Sequence, residues 1–187
     1  MAHVKLNPIL EQINGQVGDL VFKRYQDKTV IARKATPSNQ EPTPAQQATR
    51  DRFREAAQYG KMVMADPSLK ALYATVTKTK KKPIFSLMIA DYFNAPTVTA
   101  VSLDNYTGAI GETIQVTAFD DFEVTEVAVS LADGDMVLES GAAVVENGRW
   151  TYMTTTTVTL GTSVTVTATA LDRPGNSGTA EATMLIS

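Results

Sequence analysis

The stretch SVTVTATALDRPGNSGTAEATMLI, residues 163–186, contains the clearest structural signal in this chain of 187 residues. Four apolar residues alternate with threonines along its first half: Val164, Val166, Ala168 and Ala170. Strict alternation is typical of a β-strand that buries one face. A turn signal at residues 174–176 follows, and then a second strand-like run. We therefore predict an antiparallel pair of strands with an apolar inner face.

The same pattern extends over the whole second half of the chain. Seven short runs rich in Val, Thr, Ile and aromatic residues lie between residues 97 and 186. Turn residues separate them, and Asn147-Gly148 is the strongest hairpin signal because this pair suits the tight turns of hairpins. Seven short strands in about 90 residues predict an all-β sandwich.

The closing stretch also resembles the last two strands of bacterial immunoglobulin-like domains. In those domains a strand ending in Ala-x-Asp is followed by a Gly-Asn turn and a final strand. The matching positions here are Ala170, Asp172, Gly175 and Asn176. The resemblance covers about residues 96–187 and implies an immunoglobulin-like sandwich of about seven strands. Such domains mostly act as spacers, adhesive modules or assembly subunits.

The first half is predicted to be an α+β domain, a β-hairpin followed by two or three helices. Residues 18–35, GDLVFKRYQDKTVIARKA, read as two strands around a polar turn, and a Pro-rich connector follows. Thr43, Pro44 and Gln46 favour a helix start, and that helix should end near Ala65. Asp66-Pro67 starts a second helix, and Pro83 opens an apolar one that should be buried.

The order of motifs in this half resembles uncharacterised bacterial and phage-associated proteins. Those proteins show a Gly-x-x-Gly-Asp hairpin, then a Thr-Pro-x-Gln helix start and an Arg-x-x-Phe pair. The matching residues are Gly15, Gly18, Asp19, Thr43, Pro44, Gln46, Arg50 and Phe53. The resemblance implies no activity.

Charge divides the chain in the same place as the strand pattern. Residues 1–95 hold 15 Lys and Arg against 8 Asp and Glu, whereas residues 96–187 hold 2 against 12. Pro96 also ends whatever element precedes it. We predict a basic domain over residues 1–95 and an acidic one over residues 96–187.

No catalytic pattern is present, and we predict that the chain is not an enzyme. It has no cysteine and one histidine, His3, so neither a thiolate nor a His/Cys zinc site can be built. The Gly15-x-x-Gly18 pair matches neither phosphate-binding fingerprint and reads as turn glycines. We predict no cofactor, with calcium as the alternative.

Calcium would use acidic residues at the strand ends. Asp120 and Asp121, with Asp172, are the candidate ligands, because calcium takes six to eight oxygen ligands. The competing interpretation is ordinary turn chemistry, in which Asp side chains accept hydrogen bonds from nearby backbone.

The favoured function is that of a structural subunit, a filament or virion-type component that associates with other copies of itself. Complementary charge on the two halves would orient the copies, and β-strand addition by the hairpin would join them. The predicted assembly residues are Val21, Phe22, Tyr25, Lys78, Lys80, Lys81 and Lys82. Docking of the two halves within one chain is the competing interpretation.

Other partners and locations follow from the same features. The basic run could instead bind an acidic protein surface. Nucleic acid is disfavoured because the helical arginines alternate with Asp51 and Glu55. The alternative function is a monomeric adhesion or ligand-binding protein that uses the sandwich loops. We predict no signal peptide and no membrane span, which leaves the cytoplasm, a virion or non-classical export.

Overall fold

A computed structural model describes residues 2–3, 13–25, 28–36 and 41–187. Within these ranges the helices are α1 (Pro44–Ala65), α2 (Pro67–Lys80) and α3 (Ile84–Phe93). The first four strands are β1 (Ala2–His3), β2 (Gly15–Val17), β3 (Leu20–Tyr25) and β4 (Lys28–Arg33). The remaining strands are β5 (Thr97–Ser102), β6 (Thr113–Phe119), β7 (Val124–Asp133), β8 (Met136–Ala142), β9 (Val144–Glu146), β10 (Arg149–Met153), β11 (Ser163–Asp172) and β12 (Ser177–Leu185).

The described strands form three four-stranded antiparallel sheets. The N-terminal sheet has the order β1-β4-β3-β2. The other two have the orders β5-β6-β10-β9 and β12-β11-β7-β8. Helices followed by two sheets that share a core are compatible with the predicted helix-plus-sandwich fold.

Contacts divide the chain into two compact units, residues 1–44 and residues 45–187. The change from helix to strand falls between Phe93 and Thr97, where the composition changes. The helices nevertheless belong to the same unit as the two C-terminal sheets. The division by contacts therefore lies about 50 residues before the division by composition.

The predicted hairpin is present as β3 and β4, with Leu20 opposite Arg33 and Val21 opposite Ala32. Its neighbours in the sheet are β2 and β1 of the same chain, which the sequence pattern did not predict. The predicted polar turn at residues 26–27 and part of the Pro-rich connector, residues 37–40, lie outside the described residues.

The helix boundaries agree with the sequence signals. Helix α1 ends at Ala65 and α2 begins at Pro67, where the Asp66 carboxylate accepts hydrogen bonds from the Ser68 and Leu69 backbone N–H groups. Lys81 has a φ of 49° and ends α2 within the basic run. These ends follow from local capping chemistry, so they could be predicted without tertiary information.

The buried face of α1 is narrow. Its buried residues are Ala56, Gly60 and Val63, whereas Phe53 is 54% exposed. Gly60 lies close to α3, because an added Cβ would lie 2.7 Å from the Phe85 ring, which would have to shift. Within the described residues, no helix is both long and apolar enough to cross a bilayer.

The C-terminal core is built from both sheets of the second unit. All four alternating residues of β11 are fully buried, as predicted, and their strand pairs with β7 on one side and β12 on the other. Facing them are buried residues of β6 and β10, among them Ile114, Val116 and Tyr152. The alternating pattern therefore identified the core correctly.

The C-terminal sheets contain eight described strands, one more than the seven apolar runs. The additional strand is β9, which is only three residues long and pairs with β10. The Asn147-Gly148 turn joins them, with φ values of 51° and 78°. Positive φ at both central positions confirms the predicted tight hairpin.

Strand β5 begins against the last strand of the chain. Gly178 in β12 lies so close to Pro96 that an added Cβ would overlap the Pro96 carbonyl oxygen and contact the Thr97 Cα. Backbone cannot move aside as a flexible side chain can. Glycine is therefore required here by close approach and not by its φ angle.

We expect Gly178→Ala to lower the free energy of unfolding by about 1–3 kcal/mol, because the new methyl group overpacks a backbone contact. Urea denaturation followed by circular dichroism would measure the change. The neighbouring exposed residue provides the control, since Thr179→Ala should change stability by less than about 0.5 kcal/mol. Equal stability of Gly178→Ala and the parent would contradict the close approach.

Candidate functional site

The three predicted calcium ligands are each engaged in local hydrogen bonds. The Asp120 carboxylate accepts from the backbone N–H groups of Phe122 and Glu123 at 2.8 and 2.9 Å. Asp172 accepts from the Gly175 and Asn176 N–H groups at 2.8 and 2.6 Å. Both are therefore turn-forming side chains, as the competing interpretation predicted.

Asp121 has a different role from its two companions. Its side chain accepts a hydrogen bond from Asn94, and its backbone carbonyl accepts one from Lys80. The ammonium of Lys80 also lies 3.6 Å from an Asp121 carboxylate oxygen. In the described part of the chain, no group of three or more His, Cys, Asp or Glu side chains is placed to hold a metal ion. Calcium binding stays an untested prediction.

A buried carboxylate on α3 is the most unusual polar group in the second unit. Asp91 is only 1% exposed, and the Tyr73 hydroxyl donates a hydrogen bond to its Oδ2. Tyr73 is itself fully buried, lies 2.7 Å from the Tyr59 hydroxyl and stacks on Phe122 with ring centroids 4.0 Å apart. Residues of all three helices and of the β6–β7 loop thus meet here.

The turn between β11 and β12 closes the other side of this region. The Asn176 side-chain amide donates to the backbone carbonyls of Asp91 and Tyr92 at 3.4 and 3.3 Å, and to Asp172 Oδ2 at 2.7 Å. Arg173 in the same turn forms a salt bridge with Glu123. We call the set Tyr73, Asp91, Asp120, Asp172 and Asn176 the junction cluster, because it joins the helices to the paired sheets.

Burial controls the electrostatics of the junction cluster. Desolvation is the largest cause that raises the pKa of Asp91 from 3.8 to about 7. The negative charges of Asp120 and Asp172 contribute to this rise, while the Tyr73 hydrogen bond lowers the pKa. Desolvation and the hydrogen bond to Asp91 raise the pKa of Tyr73. At neutral pH the cluster can therefore hold a proton on a carboxyl group.

The space beside Asp91 is too small for an organic substrate. The cavity has a volume of about 20 Å³ and is lined by α2 and α3 with Asp121 and Phe122 of the β6–β7 loop. That volume suits about one water molecule. The sequence does hold one signal for this site, because Asp91 is the single charged residue of the apolar helix IFSLMIADYF.

The predicted assembly residues lie in both compact units. Val21 and Phe22 are half-buried on β3, which is flanked by β2 and β4. Lys80 is paired with Asp121, while Lys82 is exposed beside the small cavity. Lys81 occupies the cap position after α2. The side chains of His3, Tyr25 and Lys78 lie outside the described residues.

An exposed apolar edge runs along the two consecutive strands β8 and β9. Its large side chains are 57–66% exposed and comprise Met136, Val137, Val144 and Val145. Strand β8 pairs with β7 and β9 pairs with β10, so each is the edge strand of its sheet among the described strands. Residues 133–146 also carry three exposed acidic residues, Asp133, Asp135 and Glu146, and no basic one, whereas Glu139 is buried. We call these strands the acidic edge.

Helix α1 carries a surface of opposite charge. Its exposed residues at helical spacing form a stripe made of Arg50, Phe53, Arg54, Lys61 and Met64. Arg54 pairs with Asp51 at 2.8 Å on the same helix, in a solvent-exposed geometry. Large apolar and arginine side chains together are typical of protein interfaces. We call this stripe the basic stripe.

A shallow polar groove lies on the sheet of order β5-β6-β10-β9. It has a volume of about 430 Å³ and is lined by Thr113, Gln115, Glu146, Asn147, Arg149 and Thr151. Arg149 donates a hydrogen bond to Gln115 at 3.0 Å and so holds the floor of the groove in place.

Comparisons with known proteins add no family to this description. No protein-family profile matches the chain, and no curated protein matches it. Among solved structures, an engineered protein matches with 22% sequence identity and a TM-score of 0.35. That match covers 54% of this chain and spans 25% of the length of the engineered protein.

We expect Tyr73→Phe to lower the free energy of unfolding by about 1–3 kcal/mol, because Asp91 Oδ2 loses its buried donor. Urea denaturation at pH 7 would measure the loss. Tyr92→Phe is the matched control, since the Tyr92 hydroxyl makes only a 3.4 Å contact with Glu55 near the surface. Similar losses in both variants would contradict a special role for the Tyr73 hydroxyl.

Proposed function

We propose that the chain is a non-enzymatic structural subunit that associates with copies of itself and displays an immunoglobulin-like module. The acidic edge of one copy would receive the basic stripe of the next. The observation that carries this proposal is the presence, on one chain, of two exposed surfaces that combine apolar side chains with opposite charge.

The order of the strands supports the immunoglobulin-like type. Naming β5 to β12 as A, B, C, C′, D, E, F and G gives one sheet of order A-B-E-D and one of order G-F-C-C′. Immunoglobulin-like domains distribute their strands over two sheets in this way, with strand C′ as a variable addition beside C. The Ala170, Asp172, Gly175 and Asn176 pattern lies at the F–G turn of this scheme.

Charge and apolar surface would make different contributions to assembly. Charge complementarity would set the orientation and the association rate of two copies, whereas burial of apolar side chains would supply most of the affinity. Exposed apolar side chains on an edge strand are a liability in a monomer, because unpaired strand edges invite pairing with other chains. A partner that covers the acidic edge removes that liability.

The two surfaces differ from each other, so contact between them is heterologous. Contacts of this kind produce rings when the rotation closes and filaments when it does not. The basic stripe on α1 takes the place that the sequence interpretation gave to the hairpin. The hairpin residues Val21 and Phe22 stay a prediction as a second contact.

We expect static light scattering to detect particles larger than the 20.1 kDa monomer at low ionic strength and their dissociation at about 1 M salt. At that salt concentration the Debye length falls to about 3 Å, and attraction between exposed charges is screened. Negative-stain images of the same samples would distinguish rings from filaments. A monomer at every concentration and salt level would refute self-assembly.

We expect the double variant Val137→Lys and Val144→Lys to weaken this association at least about tenfold, because lysines on an edge strand oppose pairing and cannot be buried cheaply. The control places the same two charges on exposed leucines elsewhere, Leu160→Lys and Leu185→Lys. Strand β12, which carries Leu185, is the opposite edge of its sheet from β8. Equal weakening by both pairs would show a general charge effect and would contradict the acidic edge as the interface.

A monomeric ligand-binding protein is the second candidate, and the polar groove over β6, β9 and β10 favours it. A ligand present at 100 times its dissociation constant would stabilise the fold by about 2.7 kcal/mol. Thermal melting with calcium and with neutral glycans would detect such a ligand, in the groove or at the strand-end carboxylates.

A further inference from the structure

Two carboxylate oxygens in the junction cluster are buried without a hydrogen-bond partner. They are Asp91 Oδ1 on α3 and Asp120 Oδ1 in the loop between β6 and β7. The other oxygen of each group is satisfied, by Tyr73 for Asp91 and by two backbone N–H groups for Asp120. Phe122 links the two groups, because its N–H donates to Asp120 and its ring stacks on Tyr73, which donates to Asp91. The Asp120 carboxyl group is also among the causes that raise the pKa of Asp91.

Two buried carboxylate oxygens that both lack a hydrogen-bond donor lower the stability of the folded state when both groups are ionised. Leaving a buried polar atom unpaired costs stability, and two adjacent negative charges in a poorly solvated site repel each other strongly. A proton placed between them removes both problems, because one carboxyl group then donates to the other. Among the described residues no donor is bonded to either oxygen, and the Arg173 Nε is also buried without a partner.

The charged and titratable groups around the pair leave the net charge of the site negative. Asp172 faces the pair from the end of β11, and Tyr73 and Tyr59 face it from α2 and α1. Lys80 and Lys82 line the small cavity beside Asp91, but Lys80 is paired with Asp121. Arg173 in the β11–β12 turn is paired with Glu123 through one terminal nitrogen, while its Nε has no partner. Neither Lys80 nor Arg173 is hydrogen-bonded to the two orphan oxygens.

We propose that Asp91 and Asp120 bind a single proton between Asp91 Oδ1 and Asp120 Oδ1, and that this shared proton fastens α3 to the β6–β7 loop. The bond is a carboxyl–carboxylate hydrogen bond that joins the helical part of the second unit to its paired sheets. When the proton is lost, the two carboxylates are both negatively charged, and their repulsion weakens the contact between α3 and the β6–β7 loop. The site is thus a proton-binding site that makes the junction sensitive to pH.

The sign of the pH dependence follows from which state holds the proton. Asp91 in the folded chain has a pKa of about 7, raised from 3.8. Between these values the folded state binds more protons than the unfolded state, so stability from this group falls as pH rises. The effect on the unfolding equilibrium constant approaches tenfold per pH unit, and it saturates above the folded pKa.

The direct test is a titration of the full chain by carbon-detected NMR of its Asp and Glu carboxyl groups. We expect the Asp91 carboxyl carbon to titrate near neutral pH. In Asp120→Asn the side-chain oxygen still accepts the two backbone N–H groups, while the amide donates to Asp91. The Asp91 midpoint should then fall by more than one pH unit.

Variants and unfolding experiments provide the second readout. Asp91→Asn supplies an amide donor without a titrating proton, so its urea midpoint should exceed that of the parent at pH 8 and match it near pH 5. Asp121→Asn is the matched control, because this neighbouring carboxyl group is half-exposed and bonded elsewhere. It should leave the Asp91 midpoint within a few tenths of a pH unit.

Either of two results would overturn the shared proton. One is an Asp91 carboxyl group that titrates in the ordinary acid range of the parent protein. The other is an Asp91 midpoint that Asp120→Asn does not change. The titration of the parent protein requires no substitution, so it tests the shared proton even when a variant fails to fold. The titration is also independent of self-association, since it can be recorded at high salt.

Discussion

Burial of the apolar face of β11 is the constraint on which the rest of the second unit depends. This strand is flanked by β7 and β12, and its four alternating residues are inaccessible to solvent. Each buried valine side chain contributes about 1.5–3 kcal/mol relative to an exposed one. The facing sheet can therefore form only if its own apolar residues meet this face.

The helices pack around a small cluster that is separate from the core of the paired sheets. Only Val63, Tyr73, Leu87 and Met88 are fully or nearly buried in the helical cluster, and Phe122 of the β6–β7 loop completes it. Four such residues are too few to support an independent domain of three helices. This is why contacts assign the helices to the unit with the paired sheets, although the composition changes sharply at Pro96.

Features set by local chemistry were predictable from the sequence. Asp66-Pro67 defined a helix start, Asn147-Gly148 defined a hairpin, and alternation in β11 defined the inner face of a strand. Strands β1 and β2 were missed because two or three residues are too few to show a period.

The junction cluster was beyond the reach of sequence patterns for a different reason. Asp91 and Asp120 are 29 positions apart, and only the packing of α3 on the β6–β7 loop brings them together. Sequence reasoning ranked Asp120, Asp121 and Asp172 together because they lie at strand ends. The structure instead pairs Asp120 with a carboxylate from a helix, whose isolation in an apolar segment was the available signal.

The contacts of Asn176 with α3 and of Gly178 with Pro96 have a consequence for biosynthesis. Asn176 is 85 positions from Asp91, so the end of α3 gains these hydrogen bonds only after the turn that follows β11 has been made. A ribosome releases the helices first, and the surface on which they pack is complete only when β11 and β12 have emerged. Phe53, Met62 and Leu72 are exposed even in the folded chain, so the helices expose still more apolar surface before that point. Synthesis of β12, and not of the helices, completes the contacts of this unit.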